Sequence, residues 1–292
     1  MVVNMGRDTR RLLCSTGTMV SRYNGYDYKR ALGVTRDLYD RGKIDGAELM
    51  MLHFYYDKFD EVTSAVTDCG VPFPVIHCEK DVGMELSDAG VLLEEGKADE
   101  AADMTAKTLE TFRYNCKFGK KIGAGMMVLH LWGGFASDTH IEYNCRYIDE
   151  MTETAKEYGL TLLVENIPST KYDPLSNWHR VLDACKNARF IFDTRFGALH
   201  DQAAEILSDR EITDRLLHVH VSDFVGGYRN FKALRPIPHP GEGVVDFDLI
   251  SRGLDAIGYG GTITLESPVV NGTELDTAKL ESTFEYMDRK FR

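Results

Sequence analysis

Short apolar runs alternate with longer stretches of amphipathic helical pattern along most of this chain. Short apolar runs bounded by turn signals predict buried strands, and apolar residues at helical spacing predict helices. We predict strands at 12–16, 46–53, 73–78, 125–131, 160–166, 189–193, 216–222 and 262–267. We predict helices at 27–42, 57–69, 97–121, 140–158, 175–187, 198–214, 247–257 and 273–289. Eight strand–helix pairs in order, without a linker, predict one (β/α)8 TIM-barrel domain over residues 1–292.

An open doubly wound sheet is the competing fold for the same alternation of strands and helices. Such a sheet normally carries a G-x-G-x-x-G turn after its first strand, and the run LLCSTGTM lacks this motif. The barrel is therefore favoured. The longest connection, 79–97, contains Gly83, Gly90 and Gly96, and we expect it to form a lid or side wall over one end of the barrel.

Seven of the apolar runs end on a residue type that can bind a metal. These residues are His53, His77, His130, Glu165, Asp193, His220 and Glu266. The carboxyl ends of the strands in a TIM barrel meet at one face, where the active sites of this fold lie. We therefore expect these side chains to converge on a functional site.

The ends of the last four predicted strands carry three carboxylates and one imidazole, namely Glu165, Asp193, His220 and Glu266. Three carboxylates in one partly buried place repel one another, so at least one would take up a proton unless a cation compensates. Oxygen-rich ligation with one imidazole is suited to Mn, Mg or Co, and also to Zn or Fe. The pattern predicts one divalent metal ion, with Mn the leading candidate. The alternative is that these residues are helix caps and salt-bridge partners of the loops.

The charge and cysteine content narrow the classes of partner. The chain has 46 acidic and 34 basic residues, a formal net charge of −12, which repels nucleic acid and anionic membranes at long range. No apolar run is long enough for a membrane helix, and the N-terminal segment MVVNMGRDTRRLL lacks the apolar core of an export signal. Six scattered cysteines without a C-x-x-C pair predict reduced thiols. We expect a cytoplasmic protein that binds neither nucleic acid nor membranes.

The segments LLVEN, IFDTRF, HVHVSD, PGEGVVDFDLI and GYGGTITLESP resemble the xylose isomerase-like TIM-barrel superfamily. That superfamily contains sugar isomerases and epimerases, inosose dehydratases and the family-2 apurinic endonucleases. The resemblance implies that Glu165, Asp193, His220 and Glu266 are the metal ligands. It also implies that Glu165 and Glu266 remove and return a proton beside the carbonyl of a sugar or polyol, through an enediolate. A homo-oligomer is compatible with this resemblance.

Contacts with the substrate are predicted for four residues, His77, His130, Trp132 and Arg229. The two histidines match positions where the superfamily has substrate contacts or ligands of a second metal, the alternative being buried core residues. Trp132 is expected to pack against a sugar ring or against protein. Arg229 is expected to meet a hydroxyl or phosphate group, or to be solvated in its loop.

Two further histidines remain open between structural and functional roles. His53 has equal weight for either, since it ends the least distinctive of the strands. His218 shares a strand face with His220, and we expect it to lie in the core or to orient that ligand.

The chain departs from the superfamily pattern at two places. An Asp-x-x-His motif would follow strand six, but Asp193 is followed by Thr194, Arg195 and Phe196. The Asp-x-His pair of the multi-zinc endonucleases is replaced by the segment RPIPH at 235–239. These departures remove ligands of a three-metal site and disfavour a phosphodiesterase. A lyase of the inosose dehydratase type and a non-catalytic barrel that binds a sugar or a protein remain as alternatives to the isomerase or epimerase.

Overall fold

Eight strands of mostly buried side chains form a closed barrel in chain order, in a computed structural model that describes residues 6–292. The strands are β1 Arg11–Ser15, β2 Gly46–Met50, β3 Val75–His77, β4 Met126–Leu129, β5 Thr161–Glu165, β6 Arg189–Asp193, β7 Leu216–Val221 and β8 Thr262–Leu265. They pair in parallel, for example β1 with β8 and β4 with β5. The predicted (β/α)8 barrel is confirmed.

Helices follow the strands around the barrel. They are α1 Tyr28–Asp40, α2 Phe59–Asp68, α3 Asp81–Glu94, α4 Ala98–Ile122, α5 Ile141–Cys145, α6 Ile148–Glu157, α7 Pro174–Ala184, α8 Thr194–Leu199, α9 Ala203–Ser208, α10 Arg210–Thr213, α11 Phe247–Ala256 and α12 Thr277–Phe291. The predicted helix 140–158 is two helices, and the predicted helix 198–214 is a series of short ones. The start of the predicted helix 273–289 is instead a small hairpin of β9 Val270–Asn271 and β10 Glu274–Leu275.

The connection 79–97 is mostly a helix, and its role as a lid or side wall stays a prediction. Most of the segment forms α3, whose buried residues include Val82, Leu86 and Ala89 at helical spacing. Its glycines serve close packing, because a Cβ at Gly83 would collide with the carbonyl oxygen of His130. Tertiary packing therefore outweighs the low helix propensity of glycine here.

The described chain divides into two compact units. Unit one comprises residues 6–50, 60–74 and 192–292, and unit two comprises residues 51–59 and 75–191. Unit one carries β1, β2, β7, β8 and the end of β6, and unit two carries β3, β4, β5 and the start of β6. The description of residues 1–292 as one domain stays a prediction.

The strands are buried on both faces, as parallel strands covered by helices are expected to be. All five residues of β2 are buried, and so are all four of β8. Leu12, Leu13 and Cys14 of β1 have no exposed surface. Polar side chains within these strands are therefore conspicuous, since a buried ionisable group needs a partner.

The cysteines were predicted to be reduced thiols, and no membrane helix was predicted. All six cysteines are free thiols, and burial raises the pKa of Cys14, Cys116 and Cys145 to about 12. These three thiols therefore stay protonated and unreactive at neutral pH. Among residues 6–292, no helix combines the length and apolar character that crossing a membrane requires.

Candidate metal centre at the strand ends

Three of the four predicted metal ligands come together in unit one. Asp193 is the last residue of β6, His220 lies in β7, and Glu266 directly follows β8. Each offers one ligand atom, and these atoms lie within 4.8 Å of one another. His220 Nδ1 is 3.5 Å from Glu266 Oε2. Asp193 and His220 are fully buried, so their polar groups face the interior.

Strand register explains why His220 and Glu266 meet. His220 pairs with Thr264 across β7 and β8, and the backbone N–H of Glu266 donates to Val221 O at 3.0 Å. Glu266 lies two positions beyond Thr264 and therefore on the same face of the barrel wall. Asp193 is positioned by a different contact. Its Oδ1 accepts the backbone N–H of Phe196 at 2.8 Å and so caps α8.

Glu48 of β2 supports His220 from inside unit one. Glu48 is completely buried, and its Oε2 lies 3.0 Å from His220 Nε2 and 2.9 Å from His218 Nε2. Burial alone would raise the pKa of Glu48, but the charge of His220 and hydrogen bonds from both rings lower it below its usual range. A carboxylate that binds one ring nitrogen fixes the orientation of an imidazole and directs the other nitrogen elsewhere. Here the other nitrogen, Nδ1, faces Glu266.

Glu48 was not predicted as a site residue, whereas His53, from the same apolar run, was. A detectable signal was present, since Glu48 stands in the middle of GAELM, a strand that is otherwise apolar. His218, which we expected to lie in the core or to orient a ligand, is buried and shares Glu48 with His220. Its Nδ1 also lies 2.6 Å from Thr262 Oγ1.

A second group, His77, His130 and Glu165, lies in unit two. His77 ends β3, His130 follows β4, and Glu165 ends β5. Glu165 Oε2 lies 2.7 Å from His130 Nε2 and 3.5 Å from His77 Nε2. His77 Nδ1 lies 2.7 Å from the carbonyl oxygen of Cys78. Because a carbonyl only accepts, Nδ1 of His77 donates the hydrogen of this bond.

Burial controls the charge of His130. It lowers the pKa of His130 to about 4, although the nearby Glu165 acts in the opposite direction. The ring is therefore neutral at neutral pH and can donate one hydrogen bond, from Nε2 to Glu165. His130 Nε2 is the nearest imidazole nitrogen to the Glu165 carboxylate in this group. Whether the two histidines contact a substrate or a second metal stays a prediction.

His53 does not end a strand, so its place among the seven strand ends was wrong. β2 ends at Met50, and His53 begins a 3-10 helix, His53–Lys58, with its side chain 76% exposed. Its nearest charged group is Glu79, at 3.8 Å, which also accepts a hydrogen bond from Tyr56. Burial raises the pKa of Glu79.

The structure shows where Trp132 and Arg229 lie, but it does not test their predicted contacts with a substrate. Trp132 has no exposed surface, as expected for a side chain that packs against protein. Arg229 lies in the loop after β7, has a positive φ of 52°, and donates its backbone N–H to Leu199 O at 2.7 Å. Their contacts with a substrate stay predictions.

Asp223 organises the loop that leads from β7 to α11. Its two carboxylate oxygens accept four backbone N–H groups, from Phe224, Gly241, Gly243 and Val245, at 2.8–3.0 Å. A Cβ at Gly243 would collide with the carboxylate itself. One buried side chain therefore fixes the shape of the loop that contains Gly241 and Gly243.

Asp223→Asn is expected to lower the free energy of unfolding by about 2 kcal/mol. An amide nitrogen cannot accept the two N–H groups that now bind Oδ2. Urea titration of the variant checks this, with Asp246→Asn as the matched control, because asparagine caps α11 as well as aspartate does. Equal midpoints for the two variants would contradict the role given to Asp223.

A family model described as xylose isomerase-like TIM barrel matches residues 40–289. The chain belongs to the xylose isomerase-like TIM-barrel family. The resemblance inferred from the segments of strands five to eight is thereby confirmed. A curated relative, the uncharacterized protein MJ1311 of Methanocaldococcus jannaschii, is 24% identical over 195 residues, 63% of this chain. That match spans 64% of the relative, a little under two thirds of its length.

Solved structures share the fold of this family member over nearly its whole length. A D-tagatose 3-epimerase-like protein is 16% identical, with 96% of this chain and 97% of that chain covered and a TM-score of 0.67. D-allulose 3-epimerase from Methylomonas sp., solved with D-allulose, is 15% identical, with coverages of 97% and 98% and a TM-score of 0.68. The IOLI protein, solved with a zinc atom, is 13% identical, with coverages of 96% and a TM-score of 0.63. Identities this low establish a common fold only.

Proposed function

We propose that the protein is a divalent-metal-dependent isomerase or epimerase of a sugar or polyol. The observation that carries the proposal is the grouping of Asp193, His220 and Glu266, whose ligand atoms lie within 4.8 Å of one another. Glu165 is proposed as the fourth ligand. It ends β5 and pairs with Ile191 of β6, two residues before Asp193, so strand alternation puts it on the same face.

The residues fit a divalent cation. Glu266 Oε1 is buried and has no hydrogen-bond partner among residues 6–292, which leaves a carboxylate oxygen available for a ligand. The buried carboxylate of Asp193 and the half-buried carboxylate of Glu266 would otherwise repel each other, or one would take up a proton. Oxygen-rich ligation with one nitrogen favours manganese, with Mg, Co, Zn or Fe as alternatives. The zinc atom in the structure of the IOLI protein, which shares this fold, supports a metal-binding protein.

A bound cation would polarise the substrate carbonyl and acidify the neighbouring C–H. Glu165 would take that proton, since its buried carboxylate oxygen Oε2 lies 2.7 Å from His130 Nε2. Glu266, which approaches from β8, would return a proton to the other face of the planar enediolate. For general base catalysis, an oxygen of each carboxylate must lie within about one hydrogen-bond length of the reacting carbon whose proton it transfers.

A small sugar is the proposed substrate class. D-Allulose is the ligand in the Methylomonas epimerase structure, and several structures of similar fold are named as 3-epimerases of ketoses. A dehydratase would share the proton abstraction and then expel a hydroxyl group. Product analysis on a panel of ketoses and inososes separates the two reactions.

A multi-zinc phosphodiesterase is disfavoured by His239 and Phe196. His239 stands where a further ligand would be needed, but its ring nitrogens lie 2.8 Å from Thr283 Oγ1 and 3.1 Å from Pro268 O. Both nitrogens are therefore engaged by protein. Phe196 replaces a histidine ligand after β6 and is buried.

Metal analysis of the purified protein, followed by product analysis on the ketose panel, tests the proposal. We expect about one divalent ion per chain after incubation with Mn, and exchange of a substrate C–H with solvent that is abolished by chelation and restored by Mn. Three ions per chain would favour the phosphodiesterase. A wild-type protein that stays free of metal would refute the proposal.

A further inference from the structure

Arg195 is a buried arginine whose guanidinium carbon lies 4.4 Å from the centroid of the Phe196 ring and which forms no salt bridge among the described residues. It lies two residues after Asp193, in the first turn of α8, and is 6% exposed. One of its terminal nitrogens, Nη1, donates to the carbonyl oxygen of Leu234 at 3.2 Å. Its Nε is buried and has no hydrogen-bond partner among the described residues. A buried guanidinium with an unused donor is costly unless a ligand completes it.

Arg235 brings a second guanidinium to the same place. Arg235 directly follows Leu234, whose carbonyl oxygen accepts the hydrogen bond from Arg195. Arg235 is itself an exposed residue. Partial burial and repulsion by Arg195 lower the pKa of Arg235, while attraction by Glu266 raises it. The hydrogen bond from Arg195 to Leu234 therefore brings its guanidinium next to the backbone of Arg235, and the charge of Arg235 is influenced by both Arg195 and Glu266.

No carboxylate of residues 6–292 forms a salt bridge with either arginine, although the chain has 46 acidic residues and 34 basic ones. A bond to the Leu234 carbonyl needs one N–H and no charge, so a neutral side chain would serve that purpose. Two like charges held together, one buried and one open to solvent, are instead what a binding site for an anion requires.

We propose that Arg195 and Arg235 form a subsite for an oxyanion carried by the substrate, a phosphate ester or a carboxylate. The planar guanidinium groups offer paired N–H donors that match either group. Arg195 would supply the buried donor and Arg235 the solvent-facing one, beside Glu266. That the substrate is a sugar rests on the proposed function. Binding of the anion does not depend on the proposed function. The substrate would then be a sugar phosphate or a sugar acid.

Binding of inorganic phosphate to the metal-free protein tests the subsite alone. We expect phosphate to raise the Tm of the wild type in a saturable way, and either Arg195→Gln or Arg235→Gln to weaken this binding by about tenfold or more. Glutamine at 195 keeps an N–H for the Leu234 carbonyl, and Arg235 is exposed, so at least one variant should fold normally. Arg252→Gln, an exposed change on α11 with the same loss of charge, is the control and should bind like the wild type.

Equal phosphate binding by the wild type and both variants, or no saturable binding by the wild type, would overturn the proposal. Weakening by Arg252→Gln to the same extent would also overturn it, because the effect would then reflect net charge.

Steady-state kinetics of the Mn-loaded protein identify the anion. On phosphorylated ketoses or on sugar acids, whichever the wild type prefers, we expect kcat/KM to fall about 100-fold in each arginine variant, mainly through KM. On uncharged ketoses the same variants should match the wild type. A preference for uncharged ketoses that both variants retain would overturn the proposal. If no sugar reacts but the variants still lose phosphate binding, the proposed function fails and the subsite stands.

Discussion

Glu165→Gln is expected to slow exchange of the substrate C–H with solvent by about 10³-fold. Glutamine keeps the size of the side chain and an oxygen for His130, but it cannot accept a proton at neutral pH. The carboxylate is well placed for this role, since it is buried and its Oε2 lies 2.7 Å from His130 Nε2. Deuterium incorporation from heavy water, followed by NMR, measures the exchange directly.

The control for this prediction is Glu153→Gln, which makes the same chemical change at an exposed position on α6. Metal content is measured in parallel, because Glu165 is also proposed as a ligand and the variant must be compared at full occupancy. Exchange at the wild-type rate in a metal-loaded Glu165→Gln protein would assign proton abstraction to another residue.

His220→Gln is expected to weaken Mn binding by more than about 100-fold, and Glu48→Gln by about 10- to 100-fold. The first change removes the only imidazole of the proposed ligand set. The second leaves that imidazole in place but removes the anion that lies 3.0 Å from its Nε2. The effect of Glu48→Gln is expected to be smaller because Glu48 acts on the ion only through His220.

Isothermal titration of Mn into chelator-treated protein measures both affinities, and circular dichroism checks that each variant is folded. Glu153→Gln again serves as the control. Wild-type affinity in Glu48→Gln would show that this carboxylate matters for packing alone. A weaker effect of His220→Gln than of Glu48→Gln would contradict the assignment of His220 as a ligand.

The barrel could be predicted from the sequence because its strands are short, apolar and regularly spaced. Five predicted strands end within a residue of the observed ends, among them β5 at Glu165 and β6 at Asp193. Ionisable residues at such ends stand out against an apolar background. Their grouping in space then follows from strand order, which is why Asp193, His220 and Glu266 could be identified together before the structure was known.

Other features depend on contacts between distant parts of the chain, which periodicity does not record. Glu48 lies within a strand and is separated from His218 and His220 by more than 160 residues, so only the fold shows their hydrogen bonds. Arg195 stands at an unspecified position of the family pattern, beside the departure at Phe196, so only the fold shows that it is buried. Cytoplasmic location and self-association stay predictions.

Gly83 limits how the region around His130 can be redesigned. The helix that carries it is on the outside of the strands, so the region between 79 and 97 would look like a free target for grafting a new loop. The peptide after His130 nevertheless occupies the volume that any side chain at position 83 would need. A library built to alter specificity should therefore hold this one position as glycine, and diversify the outward-facing turns of α3 instead.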